Sequence, residues 1–428
     1  MTWNQVYRFR SYLRSSLWIV PFVAIPLELV LSRVLHRVDA LLGWNLLGLT
    51  VTGAQALLQT VVTATLTFIV FTFGSLLVAI QVASGQLTPR IIATTLLRNR
   101  VVAYTVGLFI FTLMFAVSAQ DKIGTSVHQF VAFTAALLGI LCFATFFFLI
   151  DYALRLLRPI SILRSVGSAG LAVIETIYPD LSLGPDARES QHHTLGGPDR
   201  VIPHRGTSDI ILAVNLKALV AEAGRTNGVI VFVPQVGDFV AVDEPLFNLY
   251  GGAKDIDEHT LRATVAFGSE RTLEQDPTFA FRIIIDIALR ALSPAINDPT
   301  TAVLAIDQLH RLLRLVGTRH LRTDEILNGA GELRVVFRTP NWEDFVNLAF
   351  SEIRVCGSNS LQIVRRVRAM IENLVQTLPN HRHRALLEQL NLLEREIERH
   401  FSYPEERALA GVADSQGLGG RSGMQVEQ

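Results

Sequence analysis

Arg282, Asp286 and Arg290 stand four residues apart in a stretch that is otherwise almost wholly apolar. On a helix this spacing puts all three charges on one face. Charges beside that much hydrocarbon must be paired, because an unpaired buried charge is very costly. Two chemistries fit the pattern. One is a structural ladder of ion pairs. The other is an anion or ligand site, with Arg282 and Arg290 facing the bare N–H groups of a helix start around Asn297 and Asp298. Glu28 is the second candidate: an acid within an apolar run, hence a functional hypothesis by default if it lies at membrane depth. Arg33 follows five residues later, so pairing at an interface is its structural alternative. The third is a line of Thr60, Thr63, Thr67, Gly74 and Ser75, then Gln81 and Ser84, at approximate helical spacing. Such a line suits a pore lining, and it equally suits a small-residue face that lets helices approach closely.

Other chemistry is poorly represented. The chain has no phosphate-binding Gly-rich loop, dinucleotide fingerprint, zinc-protease motif or nucleophile elbow. His192, His193 and His204 lack the ligand spacing of a zinc site and are expected on a solvated loop. No metal, cofactor or catalytic residue is therefore expected. Cys142 and Cys356 fall in separate regions and should both be free thiols. Glu274, Asp276, Asp286 and Asp298 are the acids a membrane-tethered hydrolase would use. No base–nucleophile pair accompanies them, and Asp276 and Asp298 read as helix caps. No basic patch with interleaved aromatics points to nucleic acid.

The elements that carry these residues divide sharply by composition. Of 428 residues, 50% are hydrophobic and 18% charged, against about 25% charged in an ordinary soluble domain. Residues 1–150 hold 9 Lys+Arg and 3 Asp+Glu, so the remaining 278 carry nearly all the charge. A single soluble enzyme domain is excluded. A spanning helix needs about 20 mostly apolar residues. Segments 57–82, 101–119 and 130–150 satisfy that, and 17–35 makes a fourth span despite Pro21, Pro26 and Glu28. Residues 41–51 are too short to cross and should lie at the interface or re-enter. Basic residues cluster before the first span, between the second and third, and after the fourth, which predicts both termini in the cytoplasm of an inner-membrane protein.

After the bundle, 159–207 reads as a helix followed by a linker, and 208–403 as a cytoplasmic α+β domain. Strands are expected at 210–214, 229–233 and 333–337, with a helix at 216–223 between the first two. Residues 228–246 resemble half of the small barrel-sandwich module of lipoyl and biotinyl carrier domains. No lysine sits at the hairpin tip, so a structural β-sandwich-like module is expected instead of a carrier. Asp276-Pro277 and Asp298-Pro299 each pair an N-cap acid with proline at the first helical position, and they predict helix starts there. Helices should follow at 341–356, 361–378 and 382–401, with a disordered tail over 404–428.

Two passages resemble one family: Phe73 through Arg90, with Gly107 beyond it, and Glu274 through Ala302. The family is the bacterial predicted membrane proteins catalogued as domain of unknown function 2254. The resemblance implies a multi-span membrane protein with a cytoplasmic α+β domain and assigns no activity. Three functions fit the residues. The leading one is a homo-oligomeric channel or transport-related protein, regulated by its cytoplasmic domain, whose partners are the lipid bilayer and a small ion or small-molecule ligand. A membrane-anchored ligand sensor or scaffold is second, and a tethered hydrolase last.

Overall fold

The computed structural model describes residues 3–16, 18–42, 48–86, 100–123, 127–156, 158–182, 195–321 and 325–420. These fall into two compact units, one within 11–162 and one built mainly from residues 163 onward.

The first unit is helical. After α1 (Trp3–Ser15) come α2 (Ile19–Leu42), α3 (Val51–Gln86), α4 (Arg100–Asp121) and α5 (Gln129–Leu156). Among the described residues five helices are long and apolar enough to cross a bilayer: α2 to α5 and α6 (Pro159–Ile177). Four of the five coincide with the expected spans. Pro21 sits in the first turn of α2, where its missing N–H costs nothing, and Pro26 lies inside a helix that continues past it. Leu58 and Val61 of α3 meet Phe115, Ala116 and Ala119 of α4 and Val131 and Ala135 of α5 in a buried core. Of the expected interfacial stretch 41–51, residues 43–47 lie outside the described residues. The rest ends α2, opens α3 or links to it.

The second unit is a mixed α/β fold. Its first half holds the end of α6, β1 (Arg200–Pro203), β2 (Asp209–Val214), α7 (Leu216–Arg225), β3 (Gly228–Phe232), β4 (Phe239–Val240), β5 (Pro245–Gly251), α8 (Glu258–Arg262) and β6 (Val265–Gly268). Its second half holds α9 (Pro277–Ala291), α10 (Pro299–Gly317), β7 (Glu325–Leu327), β8 (Leu333–Phe337), α11 (Trp342–Cys356), α12 (Leu361–Thr377), α13 (His383–His400) and α14 (Pro404–Ala410). A five-stranded sheet runs β1-β5-β3-β8-β7 and a three-stranded sheet runs β4-β2-β6. Among the described residues only β3 and β8 pair in parallel, Ile230 opposite Val335; the other ladders are antiparallel.

Three expectations are corrected. The β-sandwich-like module over 228–246 does not form: β3 and β5 belong to the larger sheet, and β4 pairs with β2 in the smaller one. The linker after α6 contains β1, whose residues pair with β5. The tail after 404 is ordered through residue 420. It opens with α14, and then Arg365, fully buried on α12, donates to the carbonyls of Val412, Gly419 and Gly420. Asp414 closes that turn by accepting from the backbone N–H groups of Gln416, Gly417 and Gly419. Composition favoured disorder here, but one buried guanidinium and the Asp414 carboxylate together hold the tail in place.

The first residues of α9 and α10 form as their caps dictate. Asp276 accepts from the Phe279 N–H at 3.1 Å and Asp298 from the Thr301 N–H at 3.0 Å, each followed by proline at the first helical position. α6 packs on these helices through small residues. A Cβ at Gly170 would lie 2.8 Å from Ala280 Cβ and 3.1 Å from Leu312 Cδ2.

Candidate functional site

Two faces of α3 differ in kind. Ala54, Leu58, Val61, Thr65, Thr72 and Ala79 are buried and turn toward the rest of the bundle. On the opposite side Gln59, Thr60, Thr63, Thr67, Gly74 and Gln81 are exposed. A step of 100° per residue follows from 3.6 residues per turn, and it places these six within one seam. The hydroxyls of Thr60, Thr63 and Thr67 donate to the carbonyls of Ala56, Gln59 and Thr63, at 2.8, 2.9 and 2.8 Å. Gln59 also accepts from Gln120 at 3.2 Å. The expected line is thus present, but Ser75 leaves it. Ser75 lines an apolar groove of about 580 Å³ between α3 and α5, beside Phe146 and Leu149. The outward face of α5 is the useful contrast: Leu137, Ile140, Leu141, Phe143, Phe147 and Phe148 are exposed and carry no polar side chain.

Glu28 is 2% exposed. Its carboxyl bonds the Ser118 hydroxyl of α4, while Arg33 is exposed and donates to the Leu29 carbonyl at 3.0 Å. Glu28 therefore lies inside the bundle and makes its hydrogen bond to α4, with Arg33 acting on it only through space.

The stripe on α9 resolves into pairs. Arg282 Nε donates to Asp286 Oδ1 at 2.6 Å, and its two terminal nitrogens grip the carboxylate of Glu352 on α11. Those contacts hold the Arg282 guanidinium charged well beyond its ordinary range, with the Glu352 hydrogen bond the largest cause, and hold Glu352 below its own. Arg290 is exposed at the far end of the helix. Asn297 takes a left-handed φ of 48° in the turn before α10, and Asp298 is occupied as the cap. Arg282, Asp286 and Glu352 are together, while Asn297 and Asp298 serve the turn and the cap that open α10. Glu352 went unseen in the sequence because it lies seventy residues from Arg282.

A second acid of this unit is more unusual. Asp276 is 3% exposed, and its Oδ2 is buried without a hydrogen-bond partner. Burial pushes its carboxyl up, against the lowering influence of the Thr278 hydroxyl, Arg271 and the backbone N–H groups of Phe279 and Thr278. It borders a cavity of about 60 Å³ with Tyr178, Gln235, Arg338 and Thr339. Gly237 lies against the carboxylate with a φ of 94°, and a Cβ there would lie 2.5 Å from Asp276 Oδ2. No wider side chain fits without moving the carboxylate.

Among the described residues no three His, Cys, Asp or Glu side chains converge on a metal-sized site. His192 and His193 lie outside the described residues. His204 is buried, contrary to the solvated loop expected for it, with Nε2 on the Thr207 carbonyl at 2.7 Å. Cys142 is buried against Thr112 and Cys356 is exposed, both as free thiols.

A family model described as "Predicted membrane protein (DUF2254)" matches residues 14–373. Uncharacterised proteins of Mycobacterium bovis and Mycobacterium tuberculosis are each 26% identical over 424 residues, covering 93% of this chain and 79% of theirs. No solved structure matches it significantly.

Proposed function

We propose, from the premise that this chain belongs to the predicted membrane protein family DUF2254, that it assembles as a homo-oligomer whose α3 helices line a path for a small ion. The observation that carries the reading is the line of exposed Gln59, Thr60, Thr63, Thr67 and Gln81 on α3, opposite its buried face and interspersed with exposed Val70 and Leu77, where the exposed residues of α5 over 137–148 are all apolar. Gln59 has Gln120 of α4 as a partner, but lipid offers the Gln81 side chain none, and each unsatisfied polar group in hydrocarbon costs several kcal/mol. A neighbouring copy or a water-filled path supplies those partners. Threonine hydroxyls that already donate to their own helix still present an oxygen to a passing cation.

In this reading α2 to α5 cross the membrane. α6 leaves the bundle, since its glycine face is committed to α9 and α10. The distribution of basic residues supports both termini in the cytoplasm of the inner membrane. The α/β unit regulates the path, and the protein is a conduit, not an enzyme. The second reading, a ligand sensor without transport, draws support from the Asp276 cavity. Purified protein in liposomes should conduct ions, and Thr67→Trp should abolish the flux while leaving the protein folded and oligomeric. Flux unchanged by Thr67→Trp, or a monomer by native mass spectrometry, would remove α3 as the lining.

A further inference from the structure

Glu28, Ser32, His36 and Asp39 recur every three or four residues along α2, so they form one polar face on a helix whose remaining positions are mostly apolar. Three of them are nearly inaccessible: Glu28 at 2%, Ser32 at 1% and Asp39 at 6% exposed. Partners come from α4 and from the start of α5. Ser118 Oγ lies 3.1 Å from Ser32 Oγ and bonds the Glu28 carboxyl. His36 Nδ1 lies 2.7 Å from the Ser32 carbonyl oxygen, and the His36 ring meets that of His128 at 5.1 Å between centroids. His128 Nδ1 is 2.9 Å from Asp39 Oδ2, while Asp39 Oδ1 accepts from the Phe130 N–H at 2.9 Å and so caps the entry to α5.

The face is continuous in chemistry and unfinished in bonding. A network serving only to glue α2 to α4 would close every donor and acceptor, because buried polar groups left open are costly. Here Glu28 Oε1 and His36 Nε2 are both buried with no hydrogen-bond partner. They sit two turns apart, about 12 Å along the helix, with the paired serine hydroxyls between them. Every side chain in the series accepts and releases protons or carries a rotatable hydroxyl. Its outer end is wet, since His128 is partly exposed beside Asp39.

We infer that Glu28 is a reversible proton-binding site inside the bundle, reached from the C-terminal end of α2 through Asp39, His128 and His36. A proton from water enters at His128 and passes to His36. It crosses the Ser32 and Ser118 hydroxyls and ends on the Glu28 carboxylate through the oxygen that Ser118 bonds, turning it into a neutral acid; the reverse path returns it. No oxidation state changes: each relay group gives up its own proton as it takes the next, so the net result is one O–H bond made on Glu28 and one proton taken from water. The charged groups facing the site are Lys122, just past α4, and Arg33 on α2 itself; His36 is faced by Lys122, His128 and Asp39. The site is independent of the α3 path, so either proposal can fail without the other.

The test is infrared difference spectroscopy on the full chain in nanodiscs after a pH step. A protonated-carboxyl stretch should appear and vanish reversibly with the pH step, be missing in Glu28→Gln, and shift in Glu28→Asp. His36→Asn and Ser118→Ala should keep the band but slow its appearance about tenfold, as expected for a relay step weakened by one hydrogen bond. Absence of any titrating band removed by Glu28→Gln would overturn the site. A band whose rate ignores both relay variants would overturn the route. Should Glu28→Gln fail to fold, the frequency shift in Glu28→Asp makes the assignment, and a band that does not shift rejects it.

Discussion

Asp276 uses its two carboxyl oxygens differently: Oδ1 caps α9, and Oδ2 faces a cavity without a hydrogen-bond partner. Because its folded pKa lies above the ordinary value, the native state binds the proton more tightly than the unfolded chain. Its contribution to stability is therefore present below the ordinary carboxylate range and lost as pH rises through the raised folded value. Asn caps a helix about as well as Asp and does not titrate. Thermal unfolding of Asp276→Asn should match the wild type in acid and become the more stable of the two as pH rises. A difference that stays flat with pH would show that this carboxyl does not titrate in the window. The cap was legible in the Asp-Pro pair alone. The cavity was not, because Gln235 and Gly237 reach Asp276 only through the folding of β2, β4 and the turn between β3 and β4.

At the level of elements, local rules worked wherever a helix or strand is specified by its own residues. β8 and α11 fall where alternation and the Asn341 cap put them, and α9 and α10 start after their predicted caps. They failed where tertiary pairing decides. The strands of 228–246 look like one module in sequence, yet their partners divide them between two sheets. The α9 stripe shows the same limit. Its helical spacing announced Arg282 with Asp286, while Glu352 from α11 completes the fork. A double-mutant cycle between Arg282→Ala and Glu352→Ala, followed by denaturant unfolding, should give a coupling on the order of 1 kcal/mol, modest because the pair is partly open to solvent. Additive effects would mean that the fork contributes nothing to holding α9 against α11.

For the whole molecule, the uneven distribution of charge foretold a membrane bundle joined to an α/β unit, and both are present. Which faces of the spans are buried was beyond the sequence, since a threonine line suits a packed face and a wet one alike. The bundle settles only its own side: α3 packs through Leu58, Val61, Thr65 and Thr72 and turns Thr60, Thr63 and Thr67 outward. In a Cys356→Ser background, with Cys142 buried, single cysteines at Thr63, Thr67, Ile140 and Phe147 should then divide by environment. A water-soluble, membrane-impermeant thiol reagent applied to native membranes should label Thr63→Cys and Thr67→Cys and spare Ile140→Cys and Phe147→Cys. Labelling at the two α3 positions no greater than at the two α5 positions would contradict a water-filled path along α3.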